Sequence, residues 1–171
     1  MTQNNKIRPW QWPLPGADKL SSYQGSFGAV RKYDIHCGID MYCQPHQLTV
    51  AVEDGIVVGI EKFTGEFAAP PTPWWNNTYA VLVEGASGVV VYGEIEPTNT
   101  IQIGKKIRQG QTLGHVITVL KIDKGTPMTM LHLELHKHGT KETVVWNLNE
   151  PRPESLLDPS EKFGDKTWSW A

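Results

Sequence analysis

Two short segments of this 171-residue sequence carry side chains suited to metal coordination. The first places His36 and Asp40 four positions apart, and an extended segment that turns at Gly38 can aim both side chains at one point. Neutral imidazole and carboxylate oxygens bind Zn²⁺ at about 2.0 to 2.2 Å. Catalytic zinc sites commonly have three protein ligands and one water, so this pair requires a third ligand.

The third candidate ligand lies in the segment 130–136, where leucines alternate with other residues. In a strand, Met130, His132, Glu134 and His136 share one face, and the leucines point to the opposite, core face. His132 is the natural third ligand. Glu134 either orients a ligand or is an exposed strand carboxylate. Four residues along a strand span about 13 Å, so we expect His136 to be out of reach.

The elements that must position these residues are strands. Runs of β-branched and alternating apolar residues predict strands at 49–52, 55–61, 78–84, 88–94, 112–120 and 130–136. No stretch sustains a 3.6-residue apolar period, so the best helical candidate is a short turn at 153–158. We therefore predict an all-β fold: a compact antiparallel sheet or sandwich core with long loops and an irregular C-terminal tail.

Length and composition limit the number of domains and the kinds of partner that this protein can have. A chain of this length with 39% hydrophobic residues can bury one ordinary core, so we predict a single domain over 1–171, with its core at about 12–136 and an extension at 137–171. A net charge of −2 provides no basic field for nucleic acid or anionic lipid. No apolar run approaches the ~20 residues of a membrane-spanning helix. Residues 1–13 lack the apolar region of a secretory signal. The oligomeric state stays open.

Two segments are predicted to lie outside this sheet. Residues 63–77 contain three prolines and the pair Trp74-Trp75, which predicts a long, stiff surface loop. The two indoles could wall a groove for peptide or glycan, or they could pack within the loop. The Pro-rich tail from residue 147 ends in a Trp-Ser-Trp sequence at 168–170, and it is predicted to wrap the domain or to be partly disordered.

The two cysteines of the sequence, Cys37 and Cys43, lie beside the first metal-binding segment. A disulfide between them is possible, but two cysteines alone do not identify an oxidising compartment. We favour a pair of reduced, half-buried thiols.

Motifs spread over residues 12–136 carry a resemblance to a known family. They are, in order, Trp12-Pro13, Pro15-Gly16, Gly25-x-Phe27-Gly28-x-x-Arg31, His36-x-Gly38-Ile39-Asp40, Val50-Ala51-x-x-Asp54-Gly55-x-Val57, Val91-Tyr92-Gly93-Glu94, Ile103-Gly104-Lys105-x-Ile107-x-x-Gly110-Gln111-x-x-Gly114 and Leu131-His132-Leu133-Glu134-Leu135. In this order and at these spacings the sequence resembles the lysostaphin and LytM group of zinc metallopeptidases.

The resemblance implies a compact antiparallel β core and cleavage of peptide bonds in the cross-bridges or stems of bacterial peptidoglycan. It also implies that Zn²⁺ is held by the His and Asp of an H-x-x-x-D motif and the second His of an H-x-H motif, which match His36, Asp40 and His132. Two further histidines assist catalysis in the family. The matching positions here hold Met130 and Glu94 instead.

The side chains at these two positions suggest different catalytic capacities. Glu94 is the predicted general base, because a carboxylate can accept the proton of an attacking water. Met130 donates no hydrogen bond, so stabilisation of the transition state must come from another group. Tyr92 lies two residues before Glu94 and should share its strand face, which makes the Tyr92 phenol a candidate donor to the oxyanion.

We therefore expect a zinc-dependent endopeptidase acting on peptidoglycan peptides or another peptide substrate. An alternative is an inactive zinc-binding domain that binds cell-wall peptide or a protein partner, and a third possibility is a metal-free carbohydrate-binding β domain. Peptidoglycan lies outside the cytoplasm, and no signal peptide is visible. A bacterial or phage protein of this kind would act at the wall after lysis or by non-classical delivery, and would otherwise be cytoplasmic.

Overall fold

Strands form nearly all of the regular structure in the computed structural model, which describes residues 8–17, 25–126 and 128–163. They are β1 (Asp34–Ile35), β2 (Ile39–Tyr42), β3 (Leu48–Val50), β4 (Gly55–Thr64), β5 (Thr78–Gly85), β6 (Gly88–Pro97), β7 (Lys106–Ile107), β8 (Thr112–Val116), β9 (Met130–His136), β10 (Trp146–Asn147) and β11 (Leu156–Leu157). A 3₁₀ helix at Pro159–Phe163 follows. The predicted all-β class is confirmed. In the part of the chain described, no helix has the length and apolarity needed to cross a bilayer.

The long strands β4, β5 and β6 form an antiparallel meander at the centre of the main sheet. The sheet runs in the order β11-β9-β6-β5-β4-β7, β2 joins the same edge of β9 as β11, and β8 links β6 to β3. Alternate residues of β6 contribute to two apolar clusters, with Val90 in the main core and Val89 and Val91 in a smaller cluster on the opposite face. Burial on both faces explains why this strand reads as a nearly continuous apolar run.

Strand β6 changes partner at Glu94. Residues 89–93 pair with β9, whereas residues 95–97 pair with β8. Glu94 lies between the two ladders with a φ of 64°, a conformation uncommon for residues other than glycine. The backbone carbonyl of Glu94 accepts a hydrogen bond from the amide of Ile117 at 2.9 Å, which anchors the branch point to the segment after β8.

A β-bulge occupies the same point on the other edge of β6. Against β5, the two residues Gly93 and Glu94 oppose the single residue Ala80. The extra residue interrupts the alternation of side chains, so that Tyr92 and Ile95 both belong to the main core. Gly93 and Glu94 therefore lie together on the opposite face, where His132 is located.

Tyr92 is consequently a core residue. Its side chain is fully buried, and its hydroxyl accepts a hydrogen bond from the amide of Val52 at 2.9 Å. Burial raises the pKa of the Tyr92 phenol above its usual value. The expectation that Tyr92 and Glu94 share one face is wrong, because the bulge places an extra residue between them.

Several element boundaries differ from the prediction, and β2, at Ile39–Tyr42, was not predicted as a strand. The loop predicted at 63–77 begins after β4, which continues to residue 64, and the strand predicted at 112–120 ends at residue 116. The helical turn predicted at 153–158 is instead a turn followed by β11. Leu156 pairs with His136 there, because the edge of β9 beyond β2 offers unpaired backbone groups.

The C-terminal extension packs against the N-terminal segment. Phe163 is buried and contacts Trp10 and Trp12 edge-on, with ring centroids 5.4 and 5.2 Å apart. The tail thus wraps the core as predicted, as far as residue 163, and the sequence at 168–170 lies outside the described residues.

The thiols of Cys37 and Cys43 are free, as predicted. Burial raises the pKa of Cys37 to about 12 and that of Cys43 to about 11. Both cysteines are therefore protonated at neutral pH.

The substitution Tyr92→Phe should lower the free energy of unfolding by about 1–3 kcal/mol, because it leaves the buried amide of Val52 without its acceptor. Urea unfolding measures this change. Tyr33→Phe, at a side chain that is 78% exposed, is the matched control and should change stability by no more than about 0.5 kcal/mol. Equal stabilities of the two variants would contradict the structural role of Tyr92.

Candidate metal centre

Three buried side chains converge between β2, β9 and the segment before β2. Nε2 of His36 lies 3.1 Å from Oδ1 of Asp40 and 3.2 Å from Nδ1 of His132, and the latter two atoms are 2.9 Å apart. Tetrahedral ligands at 2.0 Å from a metal ion lie about 3.3 Å from one another. The three predicted ligands therefore form a group that could hold one metal ion.

Two glycines allow the strands to approach closely enough for this convergence. Asp40 lies directly opposite His132 in the β2–β9 ladder, and a Cβ atom at Gly38 would collide with the backbone carbonyl of Leu133. On the other side of β9, Gly93 pairs with His132, and a Cβ atom there would lie 2.8 Å from the ring of Phe63. The glycines therefore keep space for the ligand side chains.

Hydrogen bonds fix the orientation of both imidazoles. Nδ1 of His36 donates to the carbonyl of Ser26 at 2.9 Å, so that Nε2 faces the other two candidate ligands. Nε2 of His132 donates to Oε1 of Glu134 at 2.8 Å, so that Nδ1 faces Asp40. Such partners select the tautomer of a metal-binding histidine. Glu134 is 2% exposed, so the alternative of a solvated strand carboxylate is wrong.

Asp40 is held in the same way from its other oxygen. Nη2 of Arg31 donates to Oδ2 of Asp40 at 2.8 Å, which leaves Oδ1 facing the imidazoles. Arg31 reaches this position because the chain folds back on itself, with Val30 bridged to Ile35. Burial alone would raise the pKa of Asp40, but hydrogen bonds from His132 and His36 hold it well below its usual range. Asp40 is therefore ionised.

His132 lies between two carboxylates. Burial would lower its pKa, but hydrogen bonds to Asp40 and Glu134 raise the pKa well above the usual value. In the metal-stripped protein His132 is therefore cationic, and a metal ion that binds at Nδ1 must displace a proton.

The hydrogen bonds continue from Glu134 into the C-terminal extension. Oε2 of Glu134 accepts from Nε2 of His136 at 2.7 Å, and Nδ1 of His136 lies 3.0 Å from Oγ of Ser155. Burial would raise the pKa of Glu134, but the hydrogen bonds from His132 and His136 lower it to about 2. His136 thus contacts the centre through Glu134. No sequence signal pointed to Ser155, whose position depends on the β11–β9 pairing.

A groove of about 510 Å³ opens beside the ligands. Its lining includes Asp40, Glu94, Met130, Trp75 and Tyr42. Of the two predicted loop tryptophans, Trp75 lines the groove. Tyr42 was missed, although its position two residues after Asp40 in a strand would have placed both on one face.

The second loop indole stands apart from the groove lining. Trp74 is 62% exposed and packs edge-on against Trp75, with ring centroids 6.0 Å apart. Trp75 therefore agrees with the prediction of a residue that lines a groove, and Trp74 agrees with the alternative of packing within the loop.

Glu94 brings an unsatisfied carboxylate to this groove. Its Oε2 atom is buried and has no hydrogen-bond partner among the described residues. Burial and the neighbouring charge of Asp40 raise the pKa of Glu94 to about 8. A carboxyl with such a pKa beside a metal-binding group is typical of catalytic acids and bases.

No protein-family model matches the chain, and no curated protein matches it. Several solved structures match its fold. CbpA from L. salivarius REN superposes with a TM-score of 0.56 and 20% identity, over 90% of this chain and 93% of that one. A peptidase M23 from Pseudomonas aeruginosa gives 0.53 and 18%, over 96% and 53%. A zinc-containing peptidase from Vibrio cholerae gives 0.53 and 18%, over 75% and 36%.

These comparisons concern the fold, because all three identities are below 25%. The chain spans about half of the Pseudomonas protein and about a third of the Vibrio protein. The chain shares the fold of these structures, which include an M23 peptidase, as the sequence motifs indicated.

The metal-stripped protein should be most stable near pH 5. Between pH 4.5 and 8, folded Glu94 keeps a proton that the unfolded chain has lost, so stability falls as the pH rises, and the raised pKa of His132 acts in the same direction above pH 6.5. Below pH 4.5 the unfolded chain binds protons that Glu134 and Asp40 exclude, so stability falls again as the pH drops toward 2.

Melting temperatures measured from pH 3 to 9 with a chelator present test this profile. Glu94→Gln should flatten the decline between pH 5 and 8, because glutamine does not titrate. A melting temperature that rises from pH 5 to 8 in the unsubstituted protein would contradict the assignment.

Proposed function

We propose that this domain is a zinc-dependent peptidase that hydrolyses peptide bonds in bacterial peptidoglycan, with Glu94 as its general base. One observation carries the proposal. The group of His36, Asp40 and His132 adjoins a groove into which Glu94 also brings a carboxylate with an unsatisfied oxygen.

The donor set favours zinc. Two imidazole nitrogens and one carboxylate oxygen suit Zn²⁺, and three protein ligands are the usual number at a catalytic zinc. The thiol of Cys37 lies next to His36 in sequence, but it is directed at the backbone carbonyls of Ile35 and Val144. When bound, zinc would polarise the scissile carbonyl and lower the pKa of a water ligand to about 7.

Glu94 would accept and then donate the proton in this reaction. Because its pKa is raised to about 8, its carboxylate can take a proton from the attacking water and return it to the leaving amine near neutral pH. A histidine at this position would do the same in the family that the sequence resembles. The carboxylate is a chemically reasonable replacement.

The groove supports a peptide as substrate. Its volume of about 510 Å³ falls in the usual range for ligand sites, and its lining includes the aromatic residues Trp75 and Tyr42. Peptidoglycan as the source of that peptide rests on the resemblance to cell-wall peptidases. The proposed place of action is accordingly the bacterial cell wall, reached after lysis or by non-classical delivery.

Met130 favours a second candidate function, a zinc-binding domain that binds cell-wall peptide or a protein partner without cleaving it. Met130 lines the groove at the position where the family has a catalytic histidine. A thioether donates no hydrogen bond to a developing oxyanion. In this alternative, the groove retains ligand binding and has lost the chemistry.

The protein should bind one Zn²⁺ per chain, and Asp40→Asn should weaken the zinc affinity by at least about a hundredfold, because the substitution removes a charged ligand. Competition with a chromophoric chelator measures the affinity. Asp123→Asn, at an exposed loop carboxylate, is the control and should leave the affinity unchanged. Equal affinities of the two variants would exclude the assigned ligand set.

Zinc-loaded protein should release peptide fragments from purified peptidoglycan, detected by mass spectrometry. Glu94→Gln should reduce the rate by about 10² to 10⁴-fold while zinc content is unchanged, because the amide cannot accept the proton. Glu96→Gln, two residues further along β6 and exposed, should leave the rate unchanged. Zinc binding without release from several wall types would support the non-cleaving domain instead.

A further inference from the structure

No residue of the groove has so far been assigned as a hydrogen-bond donor to the oxyanion of the proposed reaction. Attack of water on a peptide carbonyl places negative charge on the carbonyl oxygen, and positioned hydrogen-bond donors lower the energy of that state. Met130 contributes none. Glu94 accepts the proton in the proposed reaction, so a hydrogen-bond donor that assists zinc would have to be another side chain of the groove.

Tyr42 lies in the position to do so. In the β2–β9 ladder Tyr42 is directly opposite Met130, and directly opposite residues have Cβ atoms about 4.5–5.5 Å apart. Because side chains alternate along β2, Tyr42 emerges on the same face as Asp40. Both residues line the groove together with Glu94. A donor at Tyr42 is thus displaced by one strand from the family's histidine position.

The Tyr42 hydroxyl is also available. Its side chain is half-buried, and its hydroxyl makes no hydrogen bond within the ranges that the structure describes. The hydroxyl of Tyr92, by contrast, accepts a hydrogen bond from the amide of Val52 in the core. The neighbouring cations are occupied, since Arg31 binds Asp40 and the Lys32 ammonium lies over the ring of Tyr33.

We propose that the phenol of Tyr42 donates a hydrogen bond to the carbonyl oxygen of the scissile peptide as it becomes an oxyanion, in place of the donor that Met130 lacks. The assignment rests on the proposed peptidase function. The water oxygen bonds to the carbonyl carbon, and one water proton passes to Glu94 and then to the leaving nitrogen as the C–N bond breaks. The second proton stays on the new carboxyl group until that group ionises. Tyr42 keeps its proton throughout and contributes only the hydrogen bond.

The test uses the full zinc-loaded chain carrying Tyr42→Phe and a soluble peptide copied from the bond that the unsubstituted protein cleaves in peptidoglycan. We expect kcat to fall by about 10² to 10³-fold, because one oxyanion donor is lost, with KM within about twofold and zinc content unchanged. Tyr33→Phe, at an exposed side chain, is the control and should keep the full kcat.

Two further measurements separate a catalytic from a structural role of Tyr42. A phosphinate analogue of the same peptide should bind Tyr42→Phe more weakly by a factor similar to the loss of kcat. The double variant Tyr42→Phe with Met130→His should recover at least about tenfold in kcat, because it returns a donor to the facing position.

The outcomes distinguish this assignment from the proposed function. Cleavage by the unsubstituted protein with an unchanged kcat in Tyr42→Phe would overturn the role of Tyr42 and leave the peptidase function intact. An absence of cleavage by the unsubstituted protein would overturn both.

Discussion

The buried charge of Asp40 is the constraint on which the centre depends. A carboxylate removed from water is costly unless other groups compensate it, and here Arg31 binds one oxygen while His36 and His132 face the other. These partners come from three separate parts of the chain. Compensation of this one charge therefore connects the folded-back segment before β1, the segment between β1 and β2, and strand β9.

Hydrogen bonds connect Asp40 to further buried groups that also need partners. His132 can present Nδ1 to Asp40 only because Glu134 holds its Nε2, and Glu134 is held in turn by His136. Each of these groups is buried, so each requires its partner. Because Ser155 contacts the end of this series, the C-terminal extension is structurally part of the centre.

The bulge in β6 allows one strand to serve the core and the groove. Without it, strict alternation would place Tyr92 and Glu94 on the same face, and one of them would be misplaced. With it, Tyr92 completes the core, whereas Glu94 reaches the groove. The positive φ of Glu94 and the partner change at this residue show that the backbone departs from regular geometry at the position of greatest chemical interest.

The sequence by itself determined the all-β class and the longer strands, and its resemblance to a known family predicted that the three candidate ligands meet. The alternation of 130–136 and the His36-x-Gly38-x-Asp40 spacing depend on local periodicity and turn chemistry, which are legible without coordinates. Only the tertiary structure decided the orientation of Tyr92, the burial of Glu134 and the position of Tyr42 opposite Met130. Each depends on which strands become neighbours and on a one-residue bulge, and such long-range choices leave no periodic trace in the residues concerned.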